Sequence, residues 1–139
     1  SQTLIDLVNR HRKKGAACTV LTLKTSEKKD FGRVIRDREG VVFKIVEHED
    51  ASEDEKKVDE FNSGVYCFNK GLFYKALGSI CDNNVQKEYY LTDTIQYIVG
   101  NNFTVETVQI RDTVQLLGIN TQEDLHLAEK ILTEQTCSS

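Results

Sequence analysis

The stretch Ala17-Cys18-Thr19-Val20-Leu21-Thr22-Leu23 decides the fold class of this 139-residue chain. It is short, apolar and rich in β-branched residues, which is typical of a strand buried on both faces of a sheet. An amphipathic helix is predicted before it, because four residues share one helical face: Leu4, Leu7, Val8 and His11. Thr3 and Asp6 form a predicted capping box at the start of this helix, and Gly15 is its predicted end.

Strand and helix patterns alternate along the rest of the chain. A hairpin is predicted from strands at Gly32 to Arg36 and Val41 to Val46, joined by the turn Asp37-Arg38-Glu39-Gly40. Further strands are predicted at Phe61 to Phe68, which Gly64 interrupts, and at Phe103 to Ile110, with a short strand or extended segment at Val114 to Ile119. Helices are predicted on Leu72 to Ile80, on Leu91 to Val99, and after a Thr121 cap, with a short charged helix or turn from Ser52. The alternation predicts an α/β fold with a mixed sheet, which the chain enters in the middle of a βαβ unit.

The composition excludes several classes of protein. Hydrophobic residues make up 39% of the chain and charged residues 29%, which is ordinary for one soluble domain. The net charge of -4 disfavours a nucleic-acid binder, and no apolar run approaches the roughly 20 residues needed to cross a bilayer. The four cysteines lack metal-ligand spacing, which favours buried, reduced thiols in a cytoplasmic protein. Because the chain starts at Ser1 and contains no Met, we expect it to be a fragment of a longer protein.

Two candidate ligand-binding residues lie at the ends of the predicted hairpin. Gly32 opens the first strand, where a missing side chain lets a ligand approach the backbone, although a simple strand-entry glycine is the alternative. Glu47 follows the second strand, where its carboxylate could accept hydrogen bonds from sugar hydroxyls. The alternative for Glu47 is that residues 47–50 form a solvated acidic turn. A metal site is disfavoured, because four consecutive side chains cannot converge on one ion without a special loop.

Three further candidates lie on the next two elements. Asn62 follows Phe61 in a strand, so it faces away from the core if Phe61 faces inward, and its amide suits sugar hydroxyls. The alternative is that Asn62 stabilises a bulge at Gly64. Tyr90 and Thr92 lead into a helix whose free N–H groups could receive a phosphate, although Thr92 could also be a plain helix cap.

Asn120 is the last candidate, and it stands between Gly118 and the final predicted helix. An Asn carbonyl can bind a hard cation such as Mg²⁺ when a carboxylate lies beside it. The alternative is again a helix cap. No residue of the chain is assigned a catalytic acid or base role.

The order of five short motifs resembles one family. They are Phe31 to Val34, Ile45 to Asp50, Glu60 to Gly64, Glu88 to Asp93, and Gly118 to Asn120. Over roughly Thr3 to Leu132 they resemble the sugar-phosphate nucleotidyltransferases, in particular the uridyltransferase domain of bacterial bifunctional N-acetylglucosamine-1-phosphate uridyltransferases that also carry a glucosamine-1-phosphate acetyltransferase. The resemblance implies that residues 1–139 are a partial domain, the C-terminal half of a Rossmann-like nucleotide-diphospho-sugar transferase fold.

The resemblance also implies roles for the candidate residues. Gly32, Glu47 and Asn62 would contact N-acetylglucosamine or its nucleotide product, and Tyr90 and Thr92 would lie near the sugar phosphate. Asn120 would help to hold Mg²⁺. The family's Gly-rich loop, its base-reading segment and its Asp metal ligand have no counterpart in this chain, so we expect it to be inactive alone towards UTP and N-acetylglucosamine-1-phosphate.

Two other functions stay open at this stage. One is a related enzyme that makes a nucleotide sugar other than UDP-N-acetylglucosamine, since no base-reading segment is present. The other is a non-catalytic module that keeps the fold and binds a sugar or a protein partner. Half of a sheet also leaves an unpaired edge, which predicts self-association.

Overall fold

The computed structural model describes residues 1–113, 126, 129–130 and 133. Its helices are α1 (Gln2–Lys14), α2 (Lys70–Leu77) and α3 (Asp93–Gly100). Its strands are β1 (Cys18–Lys24), β2 (Arg33–Arg36), β3 (Val42–Val46), β4 (Glu60–Phe68) and β5 (Val105–Ile110). Two short 3₁₀ helices lie between β3 and β4, at His48–Asp50 and Glu55–Lys57.

The five strands form one mixed sheet in the order β3-β2-β4-β1-β5. Strand β1 is parallel to β5 and antiparallel to β4, while β2 is antiparallel to β3. Strand β2 meets β4 only where Arg33 lies opposite Phe61. The predicted α/β fold with a mixed sheet is therefore confirmed.

Each face of the sheet carries its own hydrophobic core. Helix α1 packs on one face over a cluster formed by Leu4, Leu7, Leu21, Leu23, Phe61 and Ile110. Helices α2 and α3 pack on the other face, where β1 contributes Cys18 and Val20. Because residues of β1 alternate between the two cores, every residue from Cys18 to Leu23 is buried. The apolar run that predicted this strand is explained by burial on both faces.

Local backbone chemistry fixes two of the connections. The side-chain Oδ1 of Asp37 accepts the backbone N–H groups of Glu39 and Val41 at 2.9 Å each, which builds the predicted turn between β2 and β3. Gly40 completes this turn with φ of 82°. In β4, Gly64 has φ of 83°, and the pairing with β1 shifts register beside it. The predicted interruption of this strand is a β-bulge.

Helix ends differ from the prediction at several points. Helix α1 starts at Gln2 after Ser1, so the predicted Thr3–Asp6 capping box is wrong; its end at Gly15, with φ of 56°, is confirmed. Helix α2 ends at Leu77, three residues before the predicted end at Ile80. Helix α3 likewise begins only at Asp93, after Leu91.

The charged segment from Ser52 does form a capping box. The Ser52 hydroxyl accepts the N–H of Glu55 at 3.2 Å, and the Glu55 carboxylate accepts the N–H of Ser52 at 3.5 Å. The predicted strand at Val114 to Ile119, the Thr121 cap and Asn120 lie outside the described residues.

Candidate functional site

Gly32 and Glu47 lie side by side at the open end of the β2–β3 hairpin. The antiparallel pairing of Arg33 with Val46 places the residue before β2 next to the residue after β3. A Cβ atom added at Gly32 would lie 3.4 Å from Glu47 Oε2 and 3.4 Å from the Val46 carbonyl oxygen. Glycine therefore allows a close approach between the backbone and the Glu47 carboxylate at this point.

Thr92 joins this end of the hairpin to helix α3. It occupies the N-cap position of α3, but its side chain makes no capping hydrogen bond. Its hydroxyl donates instead to Glu47 Oε1 at 3.0 Å, and Thr92 is 3% exposed. Thr92 therefore stands at the cap position, as the alternative predicted, but its hydroxyl orients the Glu47 carboxylate instead of capping the helix.

Asn62 is tied to the same place through its backbone. Its N–H donates to the carbonyl oxygen of Gly32 at 2.8 Å. Its side-chain Oδ1 accepts the N–H of Gly64 at 3.0 Å, so the side chain does stabilise the bulge, as the structural alternative predicted. Phe61 is buried under α1, and Asn62 therefore belongs to the opposite face of the sheet, as the strand alternation predicted.

Tyr66 is a further residue of this region that the sequence interpretation missed. Its hydroxyl is buried and has no hydrogen-bond partner within the described residues. Burial raises the pKa of Tyr66, and the nearby Glu47 carboxylate adds to this shift. Val20 and Thr22 of β1 pair with Tyr66 and Asn62 and thereby place both on one face, and no local sequence pattern specifies this pairing between distant segments.

Tyr90 borders a small cleft beside Glu47. This cleft has a volume of about 170 Å³ and is lined by Lys44, Ile45, Val46, Glu47, Asp50, Asn83, Asn84, Tyr90, Asp93 and Gln96. Partial burial, followed by the Asp50 carboxylate, raises the pKa of Tyr90, and the same two causes raise the pKa of Asp93. The helix dipole at the start of α3 favours an anion, but the carboxylates of Glu47, Asp50 and Asp93 repel one. The cleft therefore favours a ligand with hydroxyl or amide donors.

The predicted metal ligand cannot be placed, because Asn120 lies outside the described residues. Within the described part of the chain, no group of three or more His, Cys, Asp or Glu side chains could hold a metal ion. These residues alone therefore do not fit Mg²⁺. Among the cysteines, Cys18 is buried, Cys67 is half-buried and Cys81 is exposed, and all three are free thiols. Among these three cysteines, the prediction of a buried thiol is confirmed for Cys18, holds in part for Cys67 and is wrong for Cys81.

The five predicted site residues with described positions therefore cluster. Direct contacts join Gly32, Glu47, Asn62 and Thr92, and Tyr90 shares a cleft with Glu47. The cluster lies at the end of a hairpin in an α/β sheet and offers carboxylate, amide and backbone groups. Such a set suits a polar ligand with many hydroxyl groups.

Comparison with known proteins identifies the family. Residues 1–113 match the nucleotidyl transferase family, and the chain belongs to that family. Among curated relatives, the bifunctional protein GlmU of Acetivibrio thermocellus is 39% identical over 132 residues, covering 95% of this chain and 29% of the relative. GlmU of Pelobacter propionicus is 41% identical over 130 residues, covering 94% of this chain and 28% of the relative. The chain thus spans less than a third of the length of these relatives.

A solved structure agrees with the fold. A crystal structure described as a glucose-1-phosphate thymidylyltransferase of Bacillus anthracis superimposes with a TM-score of 0.54 and 16% identity. The superposition covers 89% of this chain and 46% of that one, and it supports the nucleotidyltransferase fold that the sequence predicted. No helix in the described residues is long and apolar enough to span a membrane.

Proposed function

We propose that this chain is the sugar-binding half of a cytoplasmic nucleotidyltransferase that forms UDP-N-acetylglucosamine from UTP and N-acetylglucosamine-1-phosphate. The observation that carries the proposal is the junction at the open end of the hairpin. There the Thr92 hydroxyl donates to Glu47 at 3.0 Å, and Gly32 lets the same carboxylate lie close to the backbone. The GlmU relatives, which match nearly the whole chain, support the choice of sugar and nucleotide.

Each group of the junction has a task in this proposal. Glu47 uses one oxygen for Thr92 and directs its remaining acceptor capacity to sugar hydroxyls. Gly32 lets the sugar approach the backbone, and Asn62 supplies amide groups on the same side. Tyr90 and Thr92 would lie near the sugar phosphate, and Mg²⁺ together with basic groups of the complete domain would offset the three carboxylates of the cleft. Each hydrogen bond to the Glu47 carboxylate would contribute about 1.5–3 kcal/mol.

The reaction needs positioning more than acid–base work. An oxygen of the sugar-1-phosphate attacks the α-phosphorus of UTP in line, the bond to the pyrophosphate breaks, and pyrophosphate leaves with the electron pair. This half of the domain would hold the sugar phosphate in the attacking orientation, which removes much of the entropic part of the barrier. Mg²⁺ would neutralise charge on the phosphates when bound, and Asn120 is the proposed ligand within this chain.

Substitution of Glu47 in the full-length protein tests the proposal. We expect Glu47→Ala and Asn62→Ala to weaken the use of N-acetylglucosamine-1-phosphate by roughly 1–3 kcal/mol in kcat/KM, and each to lower the unfolding free energy by about 1–2 kcal/mol, because each removes one internal hydrogen bond. Glu49→Ala is the matched control, because Glu49 is an exposed carboxylate two residues from Glu47. Unchanged kinetics in Glu47→Ala would refute the assignment.

Substrate choice separates the proposal from its two alternatives. Pyrophosphate release is measured with UTP or dTTP against N-acetylglucosamine-1-phosphate or glucose-1-phosphate. A preference of the full-length protein for dTTP or for glucose-1-phosphate would indicate another nucleotide sugar. Sugar binding without pyrophosphate release from any pair would indicate a non-catalytic module.

Self-association is proposed through the open edge of β4. Within the described part of the chain, β2 pairs with β4 only at Phe61, so the segment from Val65 to Phe68 has no strand on that side. Unpaired strand edges recruit further strands. Sedimentation of the 139-residue chain should show a concentration-dependent dimer. A monomer at all concentrations would contradict this proposal.

A further inference from the structure

A second cleft lies near Arg33 and shares none of the five predicted site residues. It has a volume of about 530 Å³ and is lined by Thr25, Ser26, Glu27, Lys28, Lys29, Asp30, Arg33, His48, Glu53, Lys56, Lys57, Val58, Asp59 and Phe61. Phe61 belongs to the face of the sheet that α1 covers, opposite to Asn62. The cleft is large enough for a small organic molecule and larger than a single ion needs.

Arg33 is the unusual residue in this cleft. It is only 4% exposed, yet its guanidinium forms no ion pair with any carboxylate of the described residues. Its Nη1 donates to the Phe31 carbonyl oxygen at 2.9 Å and lies 2.6 Å from His48 Nδ1. Its Nε is buried without a hydrogen-bond partner, and the guanidinium stacks 5.1 Å from the centre of the Phe61 ring.

A buried cation without a counter-ion is costly, because burial removes its hydration, and the Phe31 carbonyl, His48 and the Phe61 ring replace that hydration only in part, leaving Nε without an acceptor. The acidic residues of the cleft do not supply the missing charge. None of the four pairs with Arg33: Glu27 pairs with Lys29, Glu53 with Lys56 and Asp59 with Lys24, and Asp30 lies 3.5 Å from His48 Nε2. An oxyanion in the cleft is the partner that this guanidinium lacks.

The surrounding charges indicate which oxyanion fits. Four lysines border the cleft, and Lys28 among them makes no ion pair within the described residues. A phosphate carries up to two negative charges and can pair with an arginine and a lysine together, whereas a carboxylate carries one. Val58 adds apolar surface that suits an organic group attached to the phosphate.

We infer that this cleft binds a phosphate-bearing small molecule, whose phosphate pairs with the Arg33 guanidinium and with Lys28. The site is independent of the proposed sugar site, so either can fail without the other. Arg33 would give the cleft its selectivity for phosphate, because the Phe61 ring and the Phe31 carbonyl already hold the planar guanidinium in place.

A titration of the 139-residue chain with inorganic phosphate tests this inference. Chemical shifts of backbone amides and of the Arg33 Nε–H are followed by NMR at constant ionic strength, with acetate as the second anion. We expect saturable phosphate binding in the millimolar range, with acetate at least about tenfold weaker. The largest shifts should come from Arg33, Phe31 and His48. Shifts that rise linearly without saturation, or equal binding of acetate, would overturn the site.

Two variants with a matched control locate the binding. Arg33→Gln should weaken phosphate binding by at least about tenfold. Arg38→Gln removes the same charge from an exposed turn and should leave the titration unchanged. If Arg33→Gln does not fold, Lys28→Gln on the exposed rim keeps the test open, with an expected loss of about two- to threefold. Unaltered binding in a folded Arg33→Gln, or in Lys28→Gln, would refute the inference.

Discussion

Removal of the Arg36 side chain should destabilise the chain far more than its position near the surface indicates. Arg36 ends β2, and its Nε and Nη2 donate to the two carboxylate oxygens of Glu60 at 2.8 and 2.7 Å. Glu60 is 5% exposed and also accepts the Thr22 hydroxyl at 2.8 Å. Arg36 Nη2 further donates to Thr107 Oγ1 at 2.9 Å, which links the hairpin to β5.

The expected loss of unfolding free energy follows from the Glu60 carboxylate, which stays buried when Arg36 is replaced. In Arg36→Met, the Glu60 carboxylate remains buried with the neutral side chains of Thr22 and Gln109 as its donors. Breaking a buried ion pair from one side costs about 3–5 kcal/mol, and the 30% exposure of the Arg36 side chain favours the lower end. In the double variant Arg36→Met with Glu60→Met, no charge remains, so its stability should lie within about 1 kcal/mol of the parent chain.

The pH dependence of the unfolding free energy gives a second readout. Burial alone would raise the pKa of Glu60, but hydrogen bonds from Arg36 and Thr22 outweigh it and hold the pKa below its ordinary value. The pair therefore stabilises the fold at a pH above the unfolded pKa of about 4.3 and loses this contribution as the pH falls through the lowered folded pKa. The double variant should lack this acid-side loss.

Urea denaturation of the 139-residue chain, followed by far-UV circular dichroism, measures these free energies. Arg38→Met is the control, because Arg38 is exposed in the hairpin turn. A cost below about 1 kcal/mol for Arg36→Met would refute the reasoning. A double variant as unstable as the sum of the two single variants would refute it equally.

Three further predictions concern the proposed sugar site and its metal. In the full-length protein, Gly32→Ala should raise KM for the sugar phosphate several-fold, because the new Cβ lies 3.4 Å from Glu47 Oε2. It should cost at most about 1 kcal/mol of stability, since 3.4 Å is the short limit of ordinary contact; an unchanged KM contradicts this prediction. Thr92→Val removes the hydrogen bond to Glu47 and should lower the unfolding free energy by about 1–2 kcal/mol and raise the same KM, whereas Thr94→Val should leave KM unchanged. Asn120→Ala should raise the Mg²⁺ concentration for half-maximal activity without changing Tm; a lower Tm with unaltered metal dependence would make Asn120 a structural cap.

Local features of the fold could be predicted from the sequence, while contacts between distant segments could not. Strand β1 was predictable because burial on both faces demands a continuous apolar run. Gly15 and Gly40 were predictable because both positions need a positive φ. The start of α1 was missed because Thr3 matches a capping pattern, whereas the helix begins after Ser1 without a side-chain capping hydrogen bond.

The candidate site shows the same division. Gly32, Glu47 and Asn62 could be chosen one at a time, from strand ends and strand alternation. The hydrogen bond from Thr92 to Glu47 spans 45 positions, and no local pattern specifies it. The buried hydroxyl of Tyr66 was missed for a related reason, since its environment depends on the bulge at Gly64 and on the pairing with β1.

These contacts explain why the ligand-binding groups can lie on a two-stranded hairpin, which would be only marginally stable in isolation. The turn end of the hairpin is tied to β4 and β5 through Arg36. Its open end is tied to β4 by the hydrogen bond from the Asn62 N–H to the Gly32 carbonyl, and to α3 by Thr92. With both ends fixed, the Glu47 carboxylate has little freedom to lose when a ligand binds, so less of the binding free energy is lost to ordering the site.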